Sequence, residues 1–168
     1  MLPHLYDLFK LKSSDQQNFK LLFRASRDGF GADAFHAKCD NQSKTITIVR
    51  TTKSFVFGGF TNACWSSNGQ FKDDRDAFLF SLVNKFNKPF VCKIDDAYKA
   101  IECCSTFGPT FGTSDLYICD NANSQTLSYS KLENYKAPSD LYDPKGFYFC
   151  DTKNFLVDDF EVFQVFDN

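Results

Sequence analysis

The sequence predicts an α+β domain with a sheet-on-sheet core. Three observations lead there. Two helical stretches precede residue 40, the apolar period then shortens to two, and phenylalanine supplies 21 of 168 residues. Phenylalanine suits pleated, half-buried surfaces. Each buried ring removes ~150–250 Å² from water, so rings in this number fit the space between two packed sheets.

The elements follow in order. Ser14 to Gln17 has the spacing of a capping box. Phe19, Leu22, Phe23 and Ser26 then recur at helical spacing, with Lys20 and Arg24 facing out. Gly29 is placed to end that helix in a left-handed conformation. Ala32 to Cys39 reads as a second short helix showing Phe35 and Cys39 on one face. From Thr45 to Arg50 the residues alternate and are rich in β-branched side chains, which predicts a strand. Thr51 to Lys53 turns the chain, and Ser54 to Phe60 is the antiparallel partner. Residues 66–76 read as a polar loop, Ala77 to Val83 and Phe90 to Ile94 as strands, and Leu116 to Cys119 as another. Asn134 to Lys145 carries two prolines and predicts a long surface loop. Gly146 to Cys150 and Phe160 to Phe166 are the closing strands. With no repeat or linker, residues 14–168 form one domain behind a lead segment, residues 1–13.

Bulk composition narrows the function. The net charge is −2 with 24% charged residues, so the basic face of a nucleic-acid binder is missing. No apolar run approaches the ~20 residues a membrane-spanning helix needs. The first ten residues lack the basic start and cleavage site of a signal peptide. Seven cysteines, an odd number, then point to reduced thiols in the cytoplasm.

No motif for catalysis or cofactor binding stands out. Gly58-Gly59 sits inside a strand-like run with no helix behind it, so it fails as a phosphate cradle and reads as a close backbone approach. Phe55, Phe57 and Trp65 beside it read as core, and Cys64 as an apolar filler. Thr106 to Ser114 precedes a strand, and this exposed glycine-bearing loop is a candidate recognition surface. His36 and Cys39 share a helix face, but no CxxC pair completes a zinc site. Cys64, Cys92, Cys119 and Cys150 lie among aromatics as small hydrophobes. The alternative is a redox-active thiol, hence a peroxide scavenger or an uncharacterised enzyme. Asp73, Asp74 and Asp76 read as a solvated loop. Asp158, Asp159 and Glu161 form an acidic rim on the last strand. No metal or cofactor is expected.

Five collinear blocks carry a resemblance: "LLFRASRDGFGADAFHAKCD", "TITIVRTTKSFVFGGFTNACW", "AFLFSLVNK", "TFGPTFGTSDLYICD" and "FLVDDFEVFQVF". In this order they resemble the TLDc domain, a family that includes the oxidation-resistance proteins, across residues 14 to 166. The resemblance implies a β-sandwich of two antiparallel sheets flanked by short helices. It also implies a protein-binding adaptor with no established enzymatic mechanism, linked to oxidative-stress protection and to subunits of the vacuolar proton-pumping ATPase. Gly29, Phe57-Gly58, Phe107-Gly108, Gly112, Asp159, Glu161 and Phe163 match positions of the family pattern. Gly58, Phe107, Gly108, Gly112, Asp159 and Glu161 are the candidate partner-binding residues. Pro109, Thr110 and Phe111 interrupt a stretch that is nearly all glycine in the oxidation-resistance branch, and Gly69 to Asp76 lacks that branch's Gly-Thr-Gly-Glu pattern.

Overall fold

The structure, a computed structural model, describes residues 18–166. Among them are two short helices, α1 (Ala25–Asp28) and α2 (Ala32–Cys39), and thirteen strands. The strands are β1 (Asn18–Arg24), β2 (Thr45–Thr51), β3 (Val56–Thr61), β4 (Gln70–Lys72), β5 (Phe78–Val83), β6 (Phe90–Ile94) and β7 (Ile101–Cys103). They continue with β8 (Thr110–Phe111), β9 (Leu116–Tyr117), β10 (Ser128–Ser130), β11 (Tyr135–Lys136), β12 (Asn154–Phe155) and β13 (Val157–Phe166). A seven-stranded sheet runs β1-β13-β2-β3-β5-β6-β11, and a six-stranded sheet runs β12-β10-β9-β8-β7-β4. All pairings are antiparallel. The expected β-sandwich with flanking helices is present.

Between the sheets lies the main core, which includes Phe23, Phe35, Phe57, Trp65, Leu79, Phe111, Phe149 and Phe160. The Trp65 ring meets Phe35 at 5.4 Å and Phe111 at 5.6 Å, both edge-to-face, the arrangement that aromatic quadrupoles favour. Its indole N–H donates to Thr45 Oγ1 at 2.8 Å, so the ring is buried with its polar end satisfied. The glycine pair sets the spacing. A Cβ on Gly59 would come within 2.7 Å of the Phe111 ring, and one on Gly58 within 1.9 Å of the Thr47 carbonyl oxygen. The stretch from Ser54 to Ser67 is therefore a sheet centre where bare backbone admits a ring on one side and a neighbouring strand on the other.

Several expectations are corrected. Ser14 to Gln17 lie outside the described residues, but Phe19 to Arg24 are strand, not helix. A register shift between Leu21 and Phe23 breaks the alternation and leaves a spacing that imitates a helix; pairing with β13 decides the conformation. Only Ala25–Asp28 is helical. Gly29 ends it with φ 111° and ψ 153°, a positive φ but an extended ψ rather than a left-handed one. Gly146 to Cys150 is not a strand. Asp143 Oδ1 accepts from the N–H groups of Lys145 and Phe147, which bends the chain so that Phe149 drops in beside Phe57 and Phe90. The expected surface loop from Asn134 contains β11, whose Tyr135 is 1% exposed. Asp74 is not solvated either. It is buried and accepts from Thr61 Oγ1 at 2.8 Å, Asn62 N at 2.5 Å and Asp76 N at 3.0 Å, stapling the end of β3 to the following loop.

Candidate functional site

The solvent side of the six-stranded sheet carries one row of side chains that crosses every strand. In register it runs Phe71, Glu102, Thr110, Tyr117, Tyr129, Asn154. The alternate residues Ile101, Cys103, Phe111, Leu116 and Phe155 point into the core. Tyr117 and Tyr129 stand 5.3 Å apart between ring centres, and Phe107 packs edge-on against Tyr117 at 5.1 Å. Lys153 Nζ lies 4.9 Å from the centre of the Tyr129 ring and Lys99 Nζ 5.6 Å from that of Phe71, within the range of cation–π attraction. Cross-strand aromatic pairs stabilise a sheet, and here each ring keeps part of its surface in solvent. Burial raises the Glu102 carboxyl above its ordinary value, and raises the Tyr117 hydroxyl.

The loop that brings Phe107 to this row is pinned from below. His36, buried on α2, places Nε2 2.8 Å from the Cys104 carbonyl and 3.1 Å from the Phe107 carbonyl. Its Nδ1 faces Asp40 Oδ1 at 2.7 Å, and Ser67 Oγ donates to the other oxygen of that carboxylate at 2.5 Å. His36 is thus a strut between helix and loop, with both ring nitrogens engaged. Its helix neighbour Cys39 is fully buried. Among the described residues no three His, Cys, Asp or Glu side chains group as a metal site.

The candidate residues from the sequence divide between three places. Phe107 joins the aromatic row. Gly58, Gly108 and Gly112 are buried. Gly108 donates its N–H to the Ile118 carbonyl and Gly112 to the Ala100 carbonyl, both at 2.9 Å. Gly112 takes φ +65°, and a Cβ there would stand 2.0 Å from Asp115 Oδ2. Asp159 and Glu161 lie on the other sheet, at the rim of an open concavity of about 380 Å³ lined also by Arg24, Ser26 and Arg50. Both acids are engaged internally. Asp159 accepts from Ser26 N and Oγ at 3.0 and 2.8 Å, fastening α1 to β13, while Glu161 accepts from Arg24 Nε at 2.6 Å.

Sequence reasoning missed Tyr117 and Tyr129. The signal was present in the alternation Leu116-Tyr117-Ile118 and Ser128-Tyr129-Ser130, where the tyrosine is the outward residue of each triplet.

The TLDc-domain family model matches residues 1–166. The chain belongs to the TLDc family. Curated relatives include the MTOR-associated protein MEAK7 of Danio rerio, 31% identical over 74 residues. The proteins of the same name from Gallus gallus and Xenopus laevis are 33% identical over 67 residues and 34% over 70. These alignments cover 44%, 40% and 40% of this TLDc chain but only 16%, 14% and 15% of the relatives. The chain therefore corresponds to a small part of each of them. No described helix is long and apolar enough to cross a membrane.

Proposed function

We propose that this TLDc domain is a non-catalytic protein-interaction module that docks its partner on the aromatic row of the six-stranded sheet. The observation that carries the reading is the row itself. Phe107, Tyr117 and Tyr129 form a continuous, half-exposed aromatic strip on a rigid sheet, flanked by Lys153. Tyrosine and phenylalanine in such settings are the usual anchors of protein interfaces. Four of the seven thiols argue against a peroxide scavenger: burial raises Cys39, Cys92 and Cys103, and pushes Cys150 up to about 12, away from the reactive thiolate. This leaves the half-buried Cys64 and Cys104 as the thiols such chemistry would need.

The partner is a protein of the cytoplasm. Family resemblance supports a subunit of the vacuolar proton-pumping ATPase and a part in oxidative-stress protection, and the relatives' name supports association with mTOR. All seven cysteines are free, in keeping with a reducing compartment.

The test is capture of binding proteins from cytosolic and membrane fractions by the wild-type domain and by a Tyr117→Ser, Tyr129→Ser variant, with melting curves verifying that the variant is folded. Pump subunits or mTOR-complex proteins are expected with the wild type, and at least tenfold less with the variant. Equal recovery from both removes the row as the docking surface. Recovery of no partner removes the adaptor reading.

A further inference from the structure

His36 meets acceptors on both sides of its ring. Nδ1 faces Asp40 Oδ1 at 2.7 Å, and Nε2 faces the carbonyl oxygens of Cys104 and Phe107 at 2.8 and 3.1 Å. An ionised carboxylate and a backbone carbonyl only accept hydrogen bonds. A neutral imidazole carries one N–H and presents a lone pair at its other nitrogen. Either neutral tautomer therefore sets a lone pair against oxygen at hydrogen-bond distance, on a side chain only 8% exposed. The doubly protonated ring satisfies all three contacts, and the Asp40 carboxylate balances its charge. The titratable groups around this pair come from four elements. Cys39 on α2 and Cys103 on β7 stand near Asp40, and burial raises both thiols. Asp28 on α1 acts on Cys39, and Lys72 on β4 acts on Cys103. Ser67, in the loop before β4, donates to Asp40 Oδ2, and the Phe35 ring lies 4.9 Å from the imidazole. Asp40 is the charge that the His36 ring meets directly.

We propose that His36 is an imidazolium in the folded domain and that its second proton holds Phe107 in the aromatic row, a clamp that opens as pH rises. Imidazole is the side chain whose charge changes near neutral pH. On losing one proton the ring keeps the hydrogen at Nδ1, where the acceptor is charged. The lone pair left at Nε2 then faces the two carbonyls, and residues 104–107 move off the ring. The far end of this loop stays fixed, because the Gly108 N–H is bonded to the Ile118 carbonyl at 2.9 Å. The movement therefore falls on Phe107 and on its 5.1 Å contact with Tyr117. What this does to a partner rests on the docking reading above. With one of three anchors gone, affinity falls about thirtyfold.

The experiment is nitrogen NMR of the full chain labelled at histidine, followed from about pH 5.5 to about pH 9. No partner enters it, so its failure is distinct from a failure to dock. At the acid end both ring nitrogens of His36 are expected to carry a proton, with a nuclear Overhauser contact between Phe107 and Tyr117. That contact should fade in step with loss of the second proton. His36→Gln identifies the resonances, because the chain has a second histidine, His4. Asp40→Asn keeps an acceptor for Nδ1 but removes the charge, so it should move the transition to lower pH by about one unit or more. Cys104→Ser keeps the backbone carbonyl and should leave the transition where it is. Four results would overturn the proposal: a single protonated nitrogen at the acid end, both protons kept throughout, a Phe107–Tyr117 contact that outlasts the proton, or a transition unmoved by Asp40→Asn.

Discussion

Replacing Asp115 by alanine is expected to lower stability by about 4 kcal/mol, a large part of the 5–15 kcal/mol that holds a domain together. Asp115 is fully buried. Its Oδ1 accepts the backbone N–H groups of Glu133, Asn134 and Tyr135 at 2.7, 2.8 and 2.8 Å. Alanine strands all three, and each buried donor without an acceptor costs about 1–3 kcal/mol. Water reaching the partly exposed Glu133 keeps the total below the simple sum. The three amides lead into β11, so their release frees the sheet edge that covers Ile94. Asn is the discriminating substitution, because its carbonyl oxygen still accepts from all three. Asp115 Oδ2 has no partner, and the asparagine amide standing there loses little that the acid had. Burial raises the Asp115 carboxyl above its ordinary 3.8, opposed by the three amides. The folded chain thus holds this proton more tightly than the unfolded chain, and the group's contribution to stability falls as pH rises from 3.8 through the raised folded value. Asp115→Asn should abolish that decline. Thermal melting of both variants between pH 3 and pH 8 checks both statements.

Gly58→Ala is the second large effect, with an expected cost of about 3 kcal/mol or more. The obstacle is a backbone oxygen, Thr47 O, at 1.9 Å from the new Cβ, with the Phe80 ring at 2.8 Å on the other side. A flexible side chain would move aside; a carbonyl inside the β2–β3 ladder moves only if the ladder opens. At roughly 2–4 °C per kcal/mol for a chain of this size, the melting temperature should fall by about 6–12 °C. Gly69→Ala is the control. Gly69 has φ +72° and nothing within 4 Å, so only its backbone conformation is penalised, by about 1–2 kcal/mol. Gly58 does not have a positive φ, so a loss there no larger than at Gly69 would mean that the ladder yields to the new Cβ at little cost.

The long strands of the seven-stranded sheet are legible because they run for six or seven residues, Thr45–Thr51 with β-branched alternation and Phe78–Val83 as a nearly continuous apolar run. The six-stranded sheet was hard to read because its strands are two or three residues long, too short for a period to appear. β1 reads as a helix in the sequence because a bulge between Leu21 and Phe23 erases its alternation. Gly58 reads locally as a close approach as well as a partner-binding candidate, and the structure places Gly108 and Gly112 of the expected recognition loop in the interior too. Their burial is decided by Ile118 and Asp115, residues that no local pattern connects to them. Phe107 was found through family resemblance, but its companions Tyr117 and Tyr129 come together only through strand pairing.

Docking on the aromatic row is tested most directly by the dissociation constant for whichever partner the wild-type domain captures, measured with two pairs of variants of equal stability. Interface anchors contribute ~2 kcal/mol or more each, about thirtyfold in affinity. Tyr117→Ser combined with Tyr129→Ser should therefore weaken binding at least a hundredfold. Arg24→Ala combined with Glu161→Ala, on the opposite sheet, should leave it within a factor of two. The reverse pattern, with binding lost at Arg24 and Glu161 and kept without the tyrosines, would contradict the placement of the partner on the six-stranded sheet.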